Sequence, residues 1–297
     1  MGHVWFGGSF DKWIHGFHMP LWFMISGFFL NTRMNPALYV KRKAKAILIP
    51  YFVFGICYEI IWILAGHNQW LGLIWPNSIE VPLNGALWFL PALFIVNVAG
   101  MLLFKYFNRN FACIALFVLA VFGSLNLISL PLSMDSAFVG CGFFLIGYLI
   151  RKYGMKLLRI RMILAVCLML VVSVLIMLNG YVNVRTNEYA IIPAFWINAV
   201  LATVALWNIC RWVDSRKYAV ECAGRGLWVL KEIGSDSLIY VCTNQFILFF
   251  LKKLPISEPN MVVMLIWHLT KVIIIIAVCF AANRIIKKTP FKIVLGK

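Results

Sequence analysis

Apolar residues run through this chain in long stretches, separated by short polar segments crowded with lysine and arginine. A helix that crosses a bilayer needs roughly 20 mostly apolar residues. Nine stretches approach that requirement: residues 16–31, 46–66, 86–104, 111–130, 134–150, 161–179, 188–210, 233–251 and 260–282. The pattern predicts an all-α fold, a polytopic bundle of about nine transmembrane helices. Met1 to Phe6 is apolar but far too short to span, and it has the character of the tail of a helix whose earlier part is absent. No repeat with a period of about 20–50 residues, no low-complexity tract and no long linker parts the chain. Residues 1–297 therefore read as a single membrane domain.

Composition removes the soluble alternatives. The chain is 63% hydrophobic and 12% charged, against about 45–50% and about 25% in ordinary soluble domains. A mean hydropathy of +0.90 leaves more apolar surface than a globule of this size can hide, so lipid must cover part of it. Disordered, collagenous and disulfide-scaffold classes are excluded with it.

The net charge of +17 would suit a nucleic-acid binder, but its placement argues for topology instead. Of the 27 basic residues, 22 fall on alternate loops, from Arg33 and Lys41–Lys45 through Lys105, Arg151, Arg159 and Arg211 to Arg284–Lys297. The opposite side carries only Lys12, Arg185, Lys252 and Lys253, and Lys271 lies inside a span. Short cytoplasmic loops retain Lys and Arg. The C-terminus is therefore expected in the cytoplasm and residue 1 outside, with the basic side facing anionic lipid. Nucleic acid is not expected as a partner.

Seven of the eight cysteines sit in spans and Cys222 in a basic loop, with no C-x-x-C pair and no metal-ligand spacing to the five histidines. They read as small packing residues, and no metal is expected. Ionisable and polar groups in the apolar stretches carry more information, because each costs about 2.5–3.5 kcal/mol on insertion scales. His3, Asp11, His15, His18 and Ser26 cluster at the front of the chain. His18 and Ser26 are eight apart and share one helix face. With His3 alongside, that face can form a polar pocket in which an imidazole takes the proton of a hydroxyl. Interfacial histidines bonded to headgroups or water are the alternative. Lys41-Arg42-Lys43-Ala44-Lys45 reads first as a positive-inside anchor, and second as a grip on a phosphorylated cytosolic ligand. Glu59, His268 and Lys271 lie within spans, but no pair of spans is broken by Gly or Pro in matching halves, which weakens a transporter reading. Asn97, Asn126, Asn198, Asn208, Asn244 and Gln245 read as interhelical glue.

The run Phe17-His18-Met19-Pro20-Leu21-Trp22-Phe23-Met24-Ile25-Ser26-Gly27-Phe28 resembles the F-H-M-P-L-F-F-x-x-S-G-F stretch of the membrane acyltransferase 3 family, in its fucose 4-O-acetylase-like branch. Lys41 to Tyr51 resembles that family's basic turn ending in I-P-Y, and Leu87 to Phe94 its L-W-F-L-x-x-L-F. Ile233 to Tyr240 and Thr289 to Lys297 resemble its late I-G-x-x-S-L-x-I-Y motif and a frequent ending. The resemblance covers essentially the whole chain.

It implies ten helices that move an acetyl or other acyl group from cytosolic acyl-CoA to a hydroxyl of a cell-surface or lipid-linked glycan, in a bacterial inner membrane. Gly2-His3 falls at the family's G-H pair, which gives His3 the general-base role. The basic partner of that histidine would stand eleven positions earlier, ahead of residue 1. On this resemblance one N-terminal shortening, by deletion or a start codon assigned too late, is expected to account for this and for nine helices rather than ten. Thr243 and Asn244 stand where many relatives carry a histidine, so no second late base is expected. The resemblance also turns Lys41, Arg42, Lys43 and Lys45 into the binding turn for the acyl-CoA nucleotide. Its thioester arm then reaches a His3, His18 and Ser26 face, with Trp88 lining the path. A glycan or lipid exporter without acyl transfer, and an inactive shortened acyltransferase, are the rival expectations.

Overall fold

The computed structural model describes residues 8–67, 70–154, 159–215, 221–254 and 261–289. Twelve α-helices follow one another: α1 Gly8–His15, α2 His18–Phe28, α3 Pro36–Lys43, α4 Ile49–Leu64, α5 Phe89–Tyr106, α6 Arg109–Ser124, α7 Met134–Leu149, α8 Met162–Asn179, α9 Ile192–Ser215, α10 Glu221–Ser235, α11 Ser237–Lys252 and α12 Met261–Lys287. A five-residue π-helical turn, Ala44–Leu48, joins α3 to α4 in one continuous element. Between α8 and α9 stands a two-stranded antiparallel hairpin, β1 Val182–Asn183 and β2 Glu188–Tyr189, with Val182 opposite Tyr189.

Each of the nine apolar stretches carries a helix, and among the described residues six helical segments are long and apolar enough to cross a membrane: Pro36–Leu64, Gly85–Tyr106, Pro131–Gly154, Met162–Asn179, Ile192–Ser215 and Val262–Lys287. The other three depart from a simple span for local reasons. Stretch 16–31 breaks at Gly16–Phe17, where Pro20 has no N–H to donate to Gly16, and leaves an 11-residue α2. Helix α6 has 16 residues, between the Asn108 side chain that caps Phe111 N–H and a left-handed residue at Asn126. The eighth stretch bends by 86° between α10 and α11. The seventh also starts later than its hydropathy suggests. Residues 188–189 pair in the hairpin, and Pro193 then occupies the first turn of α9, where a missing N–H costs nothing.

Helix α7 is the hub, packed against α2, α5 and α6, with α8 against α9 and α11 against α12 as flanking pairs. Its contact with α2 is backbone on backbone. A Cβ at Gly27 would lie 1.9 Å from the Phe144 carbonyl oxygen, and one at Gly147 would lie 1.9 Å from that of Met24. Lipid-embedded helices gain little from burying apolar surface against each other, so close van der Waals approach over small residues holds them instead. Around this seam Phe23, Phe143 and Phe144 are fully buried, and Phe143 stacks on Trp196 at 3.9 Å. Apolar side chains also point outward, as Ile163, Leu170, Val171 and Leu178 do on α8, forming the surface that lipid covers.

Alternate loops gather at opposite ends of the bundle. At one end the Asn77 side chain binds Asp135, Leu132 N–H donates to the Ile74 carbonyl at 2.7 Å, and the Ser136 hydroxyl donates to the Arg185 carbonyl at 2.8 Å. These bonds tie loops 65–88 and 125–133 to the hairpin. At the other end the Arg151 guanidinium donates to the carbonyls of Phe28 and Leu30 at 3.0 Å, and Ile160 N–H donates to Asn208 Oδ1 at 3.2 Å. The second end also holds Lys105, whose Nζ donates to the Thr32 carbonyl, and Arg211, whose Nη2 donates to that of Ile160.

Candidate active site

The hairpin end opens into a cavity of about 570 Å³. Its walls come from five separate parts of the chain. His15 closes α1, while His18 and Met19 open α2. Trp62 stands near the end of α4, and the loop Glu80–Gly85 leads to Trp88 ahead of α5. Tyr181, Asn183 and Arg185 belong to the hairpin region, and Gln245, Leu248, Phe249 and Lys252 to α11.

The break between α1 and α2 shapes the histidine corner. Trp13 Nε1–H donates to the Ser173 hydroxyl at 2.8 Å, and Gly16 sits against Ile176, so α1 is fixed to α8 and turns sharply into α2. The His15 and His18 rings meet edge to face with centroids 5.0 Å apart. His15 Nδ1 lies 2.7 Å from the Asp11 carbonyl oxygen, and His18 Nδ1 lies 2.6 Å from that of Ile14. A carbonyl oxygen only accepts, so in the neutral form of either ring the proton sits on Nδ1 and Nε2 is the basic nitrogen. Beside them, burial raises the Asp11 carboxyl above its ordinary value, and neighbouring His15 and Lys252 oppose that rise.

The opposite wall is pinned by amide side chains. Asn84 Nδ2 donates to the carbonyls of Val241 and Cys242 in α11, and Asn84 Oδ1 accepts from Ala86 N–H at 3.2 Å. Gln245 Oε1 accepts from the same N–H at 3.2 Å, and the Tyr58 hydroxyl donates to the Cys242 carbonyl. The ion pair of Arg185 with Glu80, at 2.7 Å, joins the hairpin to this loop. Asn84 is 1% exposed, so Asn84→Ala strands buried backbone groups, at about 1–3 kcal/mol each for groups that find no new partner. We expect a lower unfolding temperature in lipid and a looser Trp88 wall, checked by thermal unfolding and by substrate KM.

The candidate residues distribute unevenly. His18 and Trp88 share the cavity, and Trp88 is 5% exposed. Ser26 does not join them. Its hydroxyl donates to Asn97 Oδ1 at 2.8 Å, a second bond to that oxygen comes from the Tyr39 hydroxyl at 2.9 Å, and the three lock α2 to α3 and α5. Two turns of α2 separate Ser26 from His18, which carries it out of the cavity toward the basic end. His3 lies outside the described residues. Lys41 and Lys45 flank an apolar groove of about 510 Å³ with Leu48, Ile49, Phe52 and Val53. Lys43 turns away from them, over the Tyr39 ring at 5.5 Å.

Sequence reasoning gave several lining residues no part in the site. His15 carried a signal, since three residues from His18 is nearly one helical turn. Glu80, Arg185 and Lys252 carried none, because their meeting depends on loop pairings more than 50 residues apart. Among the described residues no three His, Cys, Asp or Glu side chains are placed to hold a metal ion.

A family model described as an acyltransferase domain, Acyl_transf_3, matches residues 1–284. No curated protein and no solved structure matches the chain.

Proposed function

Because the chain belongs to this acyltransferase family, and is an integral membrane acyltransferase, we propose that it moves an acetyl group, or another acyl group, from cytosolic acyl-CoA to a hydroxyl of a cell-surface or lipid-linked glycan. We place it, on its F-H-M-P-L motif, in a fucose 4-O-acetylase-like branch of that family. Polysaccharide O-acetylation in a bacterial inner membrane, with the C-terminus cytoplasmic, is the setting this implies.

The observation that carries the proposal is the separation of two chemistries along one element. Trp62 lines the histidine cavity and Lys45 flanks the basic groove, and the 17 helical steps from one to the other correspond to about 25 Å. The basic groove suits an amphiphilic anion, with Lys41 and Lys45 for phosphates and an apolar floor beneath. The cavity suits a sugar, whose faces stack on Trp62, Trp88 and Phe249 while hydroxyls meet His18, Asn183 and Gln245.

In this scheme a sugar hydroxyl gives its proton to His18 Nε2 as its oxygen attacks the thioester carbonyl carbon. The carbon–sulfur bond breaks, and the departing thiolate takes the proton back from the imidazolium. The products are an ester and a free thiol, with no covalent enzyme intermediate. Nδ1–H bonding to Ile14 holds the ring in the tautomer this requires. His3 shares the base assignment through its motif match, and the cavity contributes by holding the two reactants together.

The test is equilibrium binding of radiolabelled acetyl-CoA to the full chain in lipid, beside Lys41→Ala/Arg42→Ala/Lys43→Ala/Lys45→Ala. At least tenfold weaker binding is expected in the variant, with a steep salt dependence in the wild type. Absence of acetyl-CoA binding by the wild type would overturn the donor assignment and favour export of an unmodified glycan or lipid.

A further inference from the structure

A separate cavity, of about 430 Å³, lies at the basic end and belongs to neither the histidine site nor the Lys41–Lys45 groove. It is built between the segment that enters α8 and the last turns of α9, with Arg159, Arg211, Trp212 and Ser215 in its lining.

Its walls are held in place. Asn208, 1% exposed, accepts from Ile160 N–H at 3.2 Å through Oδ1 and donates to the Val204 carbonyl at 2.9 Å through Nδ2. Arg211 Nη2 approaches the Ile160 carbonyl oxygen at 3.5 Å. This pins residues 159–161 to α9 and brings two guanidinium groups to one cavity. The 18-residue helix α8 begins beside it at Met162, a lining residue, with Arg161 as N-cap and no side-chain cap bond. The first-turn N–H groups and the positive end of the helix dipole therefore add to the two arginines. Guanidinium forks match phosphate oxygens in pairs, and an indole adds an amphipathic edge. Immediately along α8 the apolar Ile163 is 77% exposed and Leu164 is 56% exposed, so the cavity sits where a lipid-facing surface meets a cationic rim.

We infer that the Arg159–Arg211 cavity binds the phosphate group of an amphiphile. Two sources share that chemistry: the phosphodiester of an anionic phospholipid, and the nucleotide end of an acyl-CoA. The inference does not require the glycan reaction proposed above.

The experiment compares the full chain and Arg159→Gln/Arg211→Gln in nanodiscs of phosphatidylcholine with a minority of phosphatidylglycerol. Native mass spectrometry reads retained phosphatidylglycerol, and titration reads binding of coenzyme A. We expect at least a tenfold loss in one of the two readouts. Loss of lipid retention identifies a headgroup site, and loss of coenzyme A binding identifies a nucleotide site. Arg159→Glu alone, which leaves the bonds that pin the loop intact, should give the same loss if the double variant fails to fold. Retention of both probes at wild-type levels in a folded variant, or binding of neither by the wild type, overturns the assignment.

Discussion

Replacing His18 by alanine is expected to lower the rate of acyl transfer by about 10²–10⁴-fold, the range that a positioned general base contributes. Nε2 of His18 is the basic nitrogen because Nδ1 is committed to the Ile14 carbonyl at 2.6 Å. Alanine removes the proton acceptor, and glutamine at the same position offers no group that titrates. Both variants should lose kcat while binding of acetyl-CoA stays within about twofold, since the basic groove lies about 25 Å along the helix from Trp62 of the same cavity. The measurement is transfer of labelled acetyl from acetyl-CoA to membrane glycan, at equal amounts of folded protein. His15→Ala should cost less, because that ring supports His18 edge to face across 5.0 Å. His3→Ala, measured in parallel, separates the two base assignments. Wild-type turnover in His18→Ala together with loss in His3→Ala would remove His18 from the chemistry and leave it a wall of the cavity.

The second large effect falls on the fold. At Gly147 an added Cβ would stand 1.9 Å from the Met24 carbonyl oxygen, and at Gly27 another would stand 1.9 Å from that of Phe144. Those atoms are backbone, so no side-chain rotation relieves the clash, and α2 and α7 must separate. Overpacking commonly costs about 1–3 kcal/mol, and rigid backbone contacts reach the upper part of that range or beyond. Gly147→Val is expected to abolish a monodisperse folded species in detergent, and Gly147→Ala to lower its unfolding temperature markedly. Gly8→Ala serves as the control, with nothing within 4 Å of its added carbon. Because α2 carries His18, any Gly147→Ala protein that survives should also transfer acyl groups poorly. An unchanged unfolding temperature in Gly147→Ala would show that the two helices do not meet as described.

Much of this architecture was legible before any coordinates. Stretches as apolar as residues 161–179 have few alternatives to a membrane helix, and α8 occupies Met162–Asn179. The cavity was legible only in part. His18 and Trp88 stood out as polar and aromatic landmarks in recognisable motifs, and both line it. Ser26 shared a helix face with His18 on paper, yet eight residues of α2 place it beside Asn97 and Tyr39 instead. A shared face says nothing of depth along the helix, and depth decides which neighbours a side chain meets. The four-cation turn likewise read as one grip. Its π-helical continuation and the Tyr39 ring divide it, leaving Lys41 and Lys45 on the groove and Lys43 on the ring.

By itself the sequence determined the solvent of this protein, its helical class, the sorting of its loops into two sets and its family. Those properties follow from local hydropathy, charge counts and short motifs, each contained in a few neighbouring residues. Only the tertiary structure decided that a sharp break at Gly16–Phe17 sets two imidazoles edge to face, and that Arg185 reaches Glu80 across 105 residues. It alone showed that Asn208 folds a basic loop onto α9 to make a second cavity. Such pairings depend on how helices cross and how deep each side chain sits. In a bilayer those distances are set by close packing over small residues rather than by the hydrophobic pattern, which is nearly uniform along every span.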